Sequence, residues 1–422
     1  MSEILTAGEW VRNHVIELAT IDPDAPLDDL EPLREVIGDA RVVALGEGAH
    51  FIEEFWTVRR RLTRFLCEHL GFRIVAAEFD LREGDDLQEW LANPADPRPL
   101  AEVSRAAADW GMAATAHWLR TWNATLEQPV RFVGIDAPNG GQAIAAMLRN
   151  VAEYVRAFDP DIVPLIECTE AIAAKLVGTS VAKTAQAWAA LGTAQQNEFT
   201  AALNRLQQRM AAMEPLLVDR SDTARFQKTH RMVKALMCAD YMLRASEAMY
   251  RGAGALLDHS VRDRFMADRV LELLEHEPDA RVVLLAHNAH VQKQPVIWGD
   301  YLSAYPMGMY LHRSLGDAYC VIGTTTTDDH TSEMELDPST EVGFRVVDTP
   351  LDPPENGSVE AALIAAGLGD RITFCPLDKA AGAGIQFDRV RSQAGYLTGD
   401  ISAAYDGLLN LPRITVDKRL GF

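Results

Sequence analysis

The chain is poor in the features that mark several large protein classes. Its 422 residues include only five cysteines, and Cys67, Cys168, Cys238, Cys320 and Cys375 are scattered without a CxxC pair. Neither a disulfide framework nor a thiolate zinc site is expected from them. Basic residues are in the minority: 40 Lys and Arg against 61 Asp and Glu give a net charge of −21, which opposes binding to nucleic acid or to an anionic membrane surface. No charge-free apolar run is long enough to span a bilayer. The opening "SEILTAGEWVRNHVIEL" lacks the basic head and unbroken apolar stretch of a secretory signal. The expected location is the cytoplasm, and the expected partner is a small molecule.

Signatures of specific chemistries are missing as well. There is no GxSxG nucleophile elbow, no GxxxxGK[ST] phosphate loop and no HExxH metal helix. Gly46 and Gly48 form a GxG pair, but Phe51 stands where a dinucleotide fingerprint needs its third glycine, and Glu47 between them would repel a phosphate. No bound metal or cofactor is called for.

What is present begins with a 48% hydrophobic content, enough for a sizeable core in a chain of this length. Short β-branched runs read as buried strands: 41–47, 72–80, 130–137, 281–290 and 319–326. Patterns of helical period lie between the first three, which predicts βαβ units. From about Gly141 the strand signals vanish, and stretches such as "NEFTAALNRLQQRMAAMEPLL" predict amphipathic helices packed on one another. The fold expected is α/β, a mainly parallel central sheet flanked by helices with a large helical insertion. Residues 1–140 would form the first part of the α/β body, 141–280 the insertion, and 281–422 the remainder. In this last part "TEVGFRVVDTP", "RITFCPL" and "PRITVD" are possible strands around a long loop at 378–400.

Open parallel sheets bind ligands at the carboxyl ends of their strands. Glu47, Glu78, Asp136, His287 and His290 all terminate predicted strands. Any one such carboxylate is commonly a helix cap; Asp136, followed by "APNGG", reads as a cap or turn residue. In the helix predicted at 53–70, Phe55, Leu62, Phe65, Leu66 and Leu70 form an apolar stripe. Arg59 falls beside it, while Arg60 and Arg61 point more towards water. A guanidinium there either snorkels outward or pairs with a carboxylate, for which Glu47, Glu54 and Glu78 are candidates. In "AHNAH" (286–290), two histidines three apart suggest proton-transfer chemistry or a His/carboxylate metal site.

Taken together, these segments resemble the erythromycin esterase family, whose members open with GE-x-x-H-G-x-x-E-F and carry an arginine one helical turn later. Here the pattern is Gly46-Glu47, His50, Glu54-Phe55 and Arg59. Further matches follow in order: Glu78, "HWLRTWN", "FVGIDA", "VRDRFMADR", "LAHNAHVQK", "MGMYLHRSLGDAYCVIGT" and "YDGLLN". The resemblance implies a deep cleft in which a histidine activates water to open a macrolide lactone without a metal or a covalent serine intermediate. By position it implies His50 as general base, with Glu47, Glu78 and His287 as acid/base and orienting groups. Arg59, or a protonated His287, would stabilise the oxyanion, and His290, Phe51 and Arg262 join the substrate-binding set.

Two departures bear on substrate. Phe51 stands where the family usually has glycine, and Asp268 stands where asparagine is expected. Three readings follow: an ester or lactone hydrolase acting on a bulky natural product; a transferase, lyase or cyclase using the same pocket with Phe51 excluding water; and a metal- or haem-binding protein.

Overall fold

The computed structural model describes residues 6–109, 111–255, 257–298 and 301–417. Strands β1 (Ile16–Glu17), β2 (Val42–Glu47), β3 (Ile74–Asp80), β4 (Arg131–Asp136), β5 (Val282–His287), β6 (Val296–Trp298), β7 (Tyr301–Ala304), β8 (Tyr319–Thr326), β9 (His330–Leu336), β10 (Phe344–Pro350), β11 (Thr373–Pro376), β12 (Arg389–Ser392), β13 (Gly395–Thr398) and β14 (Gly407–Leu411) are distributed over three sheets. The central one has the order β1-β11-β14-β8-β2-β5-β3-β4. From β14 to β4 its strands are parallel, while β11 is antiparallel to β14 and β1 to β11. The protein is thus α/β with a mainly parallel sheet, as the alternation of strand and helix signals predicts.

Burial on both faces explains the composition of the central strands. Val43 and Leu45 of β2 enter the core shared with Phe55, Leu62 and Phe65 of the Glu53–Leu70 helix, while Val42 and Ala44 enter the opposite core with Met266 and Val270. Alternate side chains of one strand therefore meet different helical layers, and a nearly continuous apolar run results. Among the described residues from Gly141 to His276 there are helices and no strand, with a core of their own built around Trp188, Phe199, Leu203 and Leu236.

β5 pairs with both β2 and β3, and its register sets Glu47 directly opposite His287. Close packing at this point depends on the glycines of the opening stretch. A Cβ on Gly46 would lie 2.2 Å from Asn288 Oδ1, and one on Gly48 would lie 2.7 Å from the Thr324 carbonyl. The left-handed residue in this loop is instead Phe51, at φ 60°. Its ring is buried with Val342 and Phe344.

Several expectations are revised. The strand predicted over 281–290 ends at His287, whose side chain accepts from Ala289 N–H and caps the short Asn288–Val291 helix. The loop 378–400 contains the Asp378–Gly382 helix and the β12–β13 hairpin. "PRITVD" contributes only an isolated bridge between Val416 and Ile52. Arg61 does not face water: it is 1% exposed, donating to Asp29 and to the Pro26 carbonyl. Segment 23–29 folds over that side of the helix, an arrangement that helical periodicity alone does not report.

The close approach at Gly46 yields a first prediction. Gly46→Ala should displace the Asn288 amide, which donates to the Thr324 carbonyl, and destabilise the fold by about 1–3 kcal/mol, as overpacked buried positions do. Urea denaturation of the variant checks this, and wild-type stability would show that the site relaxes freely.

Candidate active site

The ends of β2, β3, β4 and β5 bring Glu47, Glu78, Asp136 and His287 to one edge of the sheet. Glu47 is the buried centre of the first cluster. One of its carboxylate oxygens accepts from His50 Nδ1 at 2.7 Å and the other from Arg59 at 2.5 Å. Burial alone would raise this carboxyl, but Arg59 and the His50 hydrogen bond outweigh it and hold the pKa below the usual value. Arg59 is the partner that the helical position requires; its guanidinium also lies 4.0 Å from the Trp56 ring centre, a contact the sequence reading missed. Glu54, the other nearby candidate, accepts from Thr415.

A second cluster forms around Glu78. Its carboxylate accepts from Arg262 at 2.7 Å and from the His287 backbone N–H at 3.0 Å, with His290 Nε2 at 3.4 Å. Arg262 also donates to both oxygens of Asp136. Asp136 is therefore an ion-pair partner as well as the turn residue the sequence suggested, since it still accepts from Ala137 N–H. Burial again opposes the charge on Glu78, and His290 and Arg262 overcome it, so this carboxyl lies far below its ordinary range.

The two histidines of "AHNAH" end in opposite charge states. His287 is buried and stands beside His50, with ring centres 4.8 Å apart. Burial first, then the neighbouring His50, drives its pKa down to about 3, so its imidazole is neutral. This replaces the protonated His287 considered from sequence. Its Nδ1 accepts from Ala289 N–H, which leaves the proton on Nε2, a buried atom without a protein partner. His290 also loses stabilisation by burial, but Asp263, accepting from Nδ1 at 2.7 Å, and Glu78 lift its pKa to about 9. Asp263 was not singled out in the sequence, although it directly follows Arg262.

These groups border a cavity of about 460 Å³. Glu47, His50, Arg59, Glu78, Asp136 and Arg262 line it, and Trp56, Phe79, Met112, Met334, Leu336 and Phe344 supply much of its apolar wall. His290, behind Glu78, and His287, beside His50, are not lining residues, nor is Phe51, whose ring packs with Phe344. Asp268 pairs with Arg264 on the exposed side of its helix. Among the described residues, the only His, Cys and carboxylate trio close enough to share a cation is Asp328, Asp329 and His330, and it includes none of the cavity's residues. No helix among the described residues is long and apolar enough to cross a membrane.

A parallel α/β sheet whose strand ends join an imidazole, a buried carboxylate and a guanidinium beside an apolar cleft has the build of an acid/base enzyme. The sequence model of the family described as Erythromycin esterase matches residues 67–414. Erythromycin esterase type II of Escherichia coli is 31% identical over 416 residues, covering 97% of this chain and 98% of its own. Erythromycin esterase type I of the same organism is 30% identical, covering 90% and 93%. A histidine-to-asparagine mutant of the erythromycin esterase EreC, solved in its open conformation, superposes with a TM-score of 0.89 at 28% identity, covering 95% of this chain and 98% of that one. A Bacillus cereus protein, at TM-score 0.75 and 18% identity over 96% of each chain, shares the fold. The chain belongs to the erythromycin esterase family, whose named members are carboxylic ester hydrolases.

The histidine charge states generate a pH prediction. His290 is raised from 6.5 to about 9, so the stability it contributes is complete below 6.5 and is lost as pH rises towards 9. His287 is lowered from 6.5 to about 3, so its neutral burial costs stability as pH falls from 6.5 towards 3. Stability should therefore pass through a maximum near neutrality. Urea midpoints between pH 5 and 9 measure it, and His290→Gln should flatten the alkaline limb; an unchanged alkaline slope in that variant would contradict the assignment.

Proposed function

We propose that the protein hydrolyses an ester or lactone of a bulky, largely apolar natural product such as a macrolide, with His50 as general base. The observation that carries this reading is the relay Arg59–Glu47–His50 on the wall of the cleft. With Glu47 ionised, the Nδ1 proton stays on His50, and Nε2 keeps its lone pair for a water molecule. The His50 side chain is 29% exposed, so solvent reaches it.

The chemistry runs in two proton transfers. His50 Nε2 takes a proton from water as the water oxygen attacks the ester carbon, and the carbonyl oxygen becomes an oxyanion. The imidazolium, stabilised by Glu47, returns that proton to the leaving alkoxide as the tetrahedral intermediate collapses to acid and alcohol. Arg59, which lines the cavity, stabilises the oxyanion; His287 Nε2–H is buried beside His50 and is not among the lining groups. Glu78 stays ionised throughout; with Arg262, Asp136 and His290 it fixes the backbone of His287 and is an orienting group, not a proton donor. The apolar wall from Trp56 to Phe344 takes the hydrocarbon face of the substrate.

The non-hydrolytic reading relied on Phe51 to exclude water, and that ring is packed with Val342 and Phe344. Incubation with a panel of macrolides and simple esters in ¹⁸O-water tests the proposal. Hydrolysis places one solvent oxygen in the acid product, and His50→Ala should lower kcat by about 10²–10⁴. Product without solvent oxygen, or full activity in His50→Ala, would overturn it.

A further inference from the structure

We infer that Gln393 is a positioning residue for His50, clamping its backbone from outside the strand and helix it connects; the inference rests on His50 acting as the base. Residues 48–51 lie between β2 and the Glu53–Leu70 helix, so the backbone groups of His50 have no partner in regular structure. Both are bonded to distant segments instead. His50 N–H donates to the Gln393 side-chain oxygen at 2.7 Å, and the Ser332 hydroxyl donates to the His50 carbonyl.

Gln393 occupies the turn between β12 and β13 and is itself left-handed, at φ 50°. Its own N–H donates to the Gly48 carbonyl at 2.8 Å, and its side-chain nitrogen donates to the Ser332 carbonyl at 3.3 Å. One glutamine thus ties the loop carrying the base at two points and joins it to the strand that closes the other side. Strain at Phe51 and at Gln393 is concentrated at this junction, where surrounding hydrogen bonds over-determine the backbone. Glu47 fixes the Nδ1 end of the ring, but a ring held at one atom still moves with its Cα. The clamp fixes that second point, and sub-ångström errors there misplace the Nε2 that is to take the proton from water.

The test separates positioning from folding. Gln393→Gly suits the left-handed backbone and removes the side chain; Gln393→Asn also tolerates that conformation but is too short to reach His50. Both should keep the wild-type melting temperature to within a few degrees, lower kcat about tenfold or more on the best ester found, and leave KM within about twofold. Gln393→Glu retains the accepting oxygen and should restore most of kcat. Folded Gly and Asn variants with wild-type kcat, alongside an inactive His50→Ala, would overturn the inference while leaving the base intact. Equal losses in all three Gln393 variants would reduce the residue to a structural one and overturn it too. A fully active His50→Ala would remove the base and, with it, the inference.

Discussion

The site depends on one buried charge. Glu47 ends a strand that is apolar on both faces, where an unpaired carboxylate would be very costly. Arg59 answers it from the first turns of the next helix, which fixes how that helix leaves the sheet, and the remaining lone pairs select the tautomer of His50. Removing Arg59 would leave a buried carboxylate with only an imidazole to compensate it. The orientation of the His50 ring and the seating of the helix are thus set by the same carboxylate.

Around this pair the protein arranges like side chains in unlike states. His287 and His290 are separated by two residues, yet one borders another imidazole and the other is held between two carboxylates. Desolvation acts on both; the difference lies in what else is near. The neutral ring keeps a buried Nε2–H without a protein partner, and the charged ring compensates Glu78 from behind. A strand ending at His287 and turning at once into a helix is what sends the two rings to different neighbours.

Much of this was legible in the sequence because local pattern carries it. The strand runs ending in Glu47, Glu78, Asp136 and His287 predict where the polar groups gather, and Arg59 could be assigned a buried partner from its place beside the apolar stripe. The burial of Arg61 is not legible because its partner, Asp29, lies in a segment without helical or strand period. Gln393 was invisible for a related reason: its effect comes from a turn inside what reads as a loop, acting on a residue of the opening motif. Phe51 is legible as a break in the opening motif. Its left-handed backbone is one that glycine adopts freely, and phenylalanine offsets the steric cost there by burying its ring.

The placement of β5 has a consequence for biosynthesis. β2 and β3 are neighbours in the chain but touch only through β5, which is translated after the long helical stretch. Until that strand leaves the ribosome, two apolar strand edges face an empty slot, and the nascent protein must keep them from pairing with other chains. Insertion of β5 fills that slot and delivers His287 to Glu47 while β8, β11 and β14 of the same sheet are still to be added, so no chain stalled before β5 holds the Glu47–His287 pair.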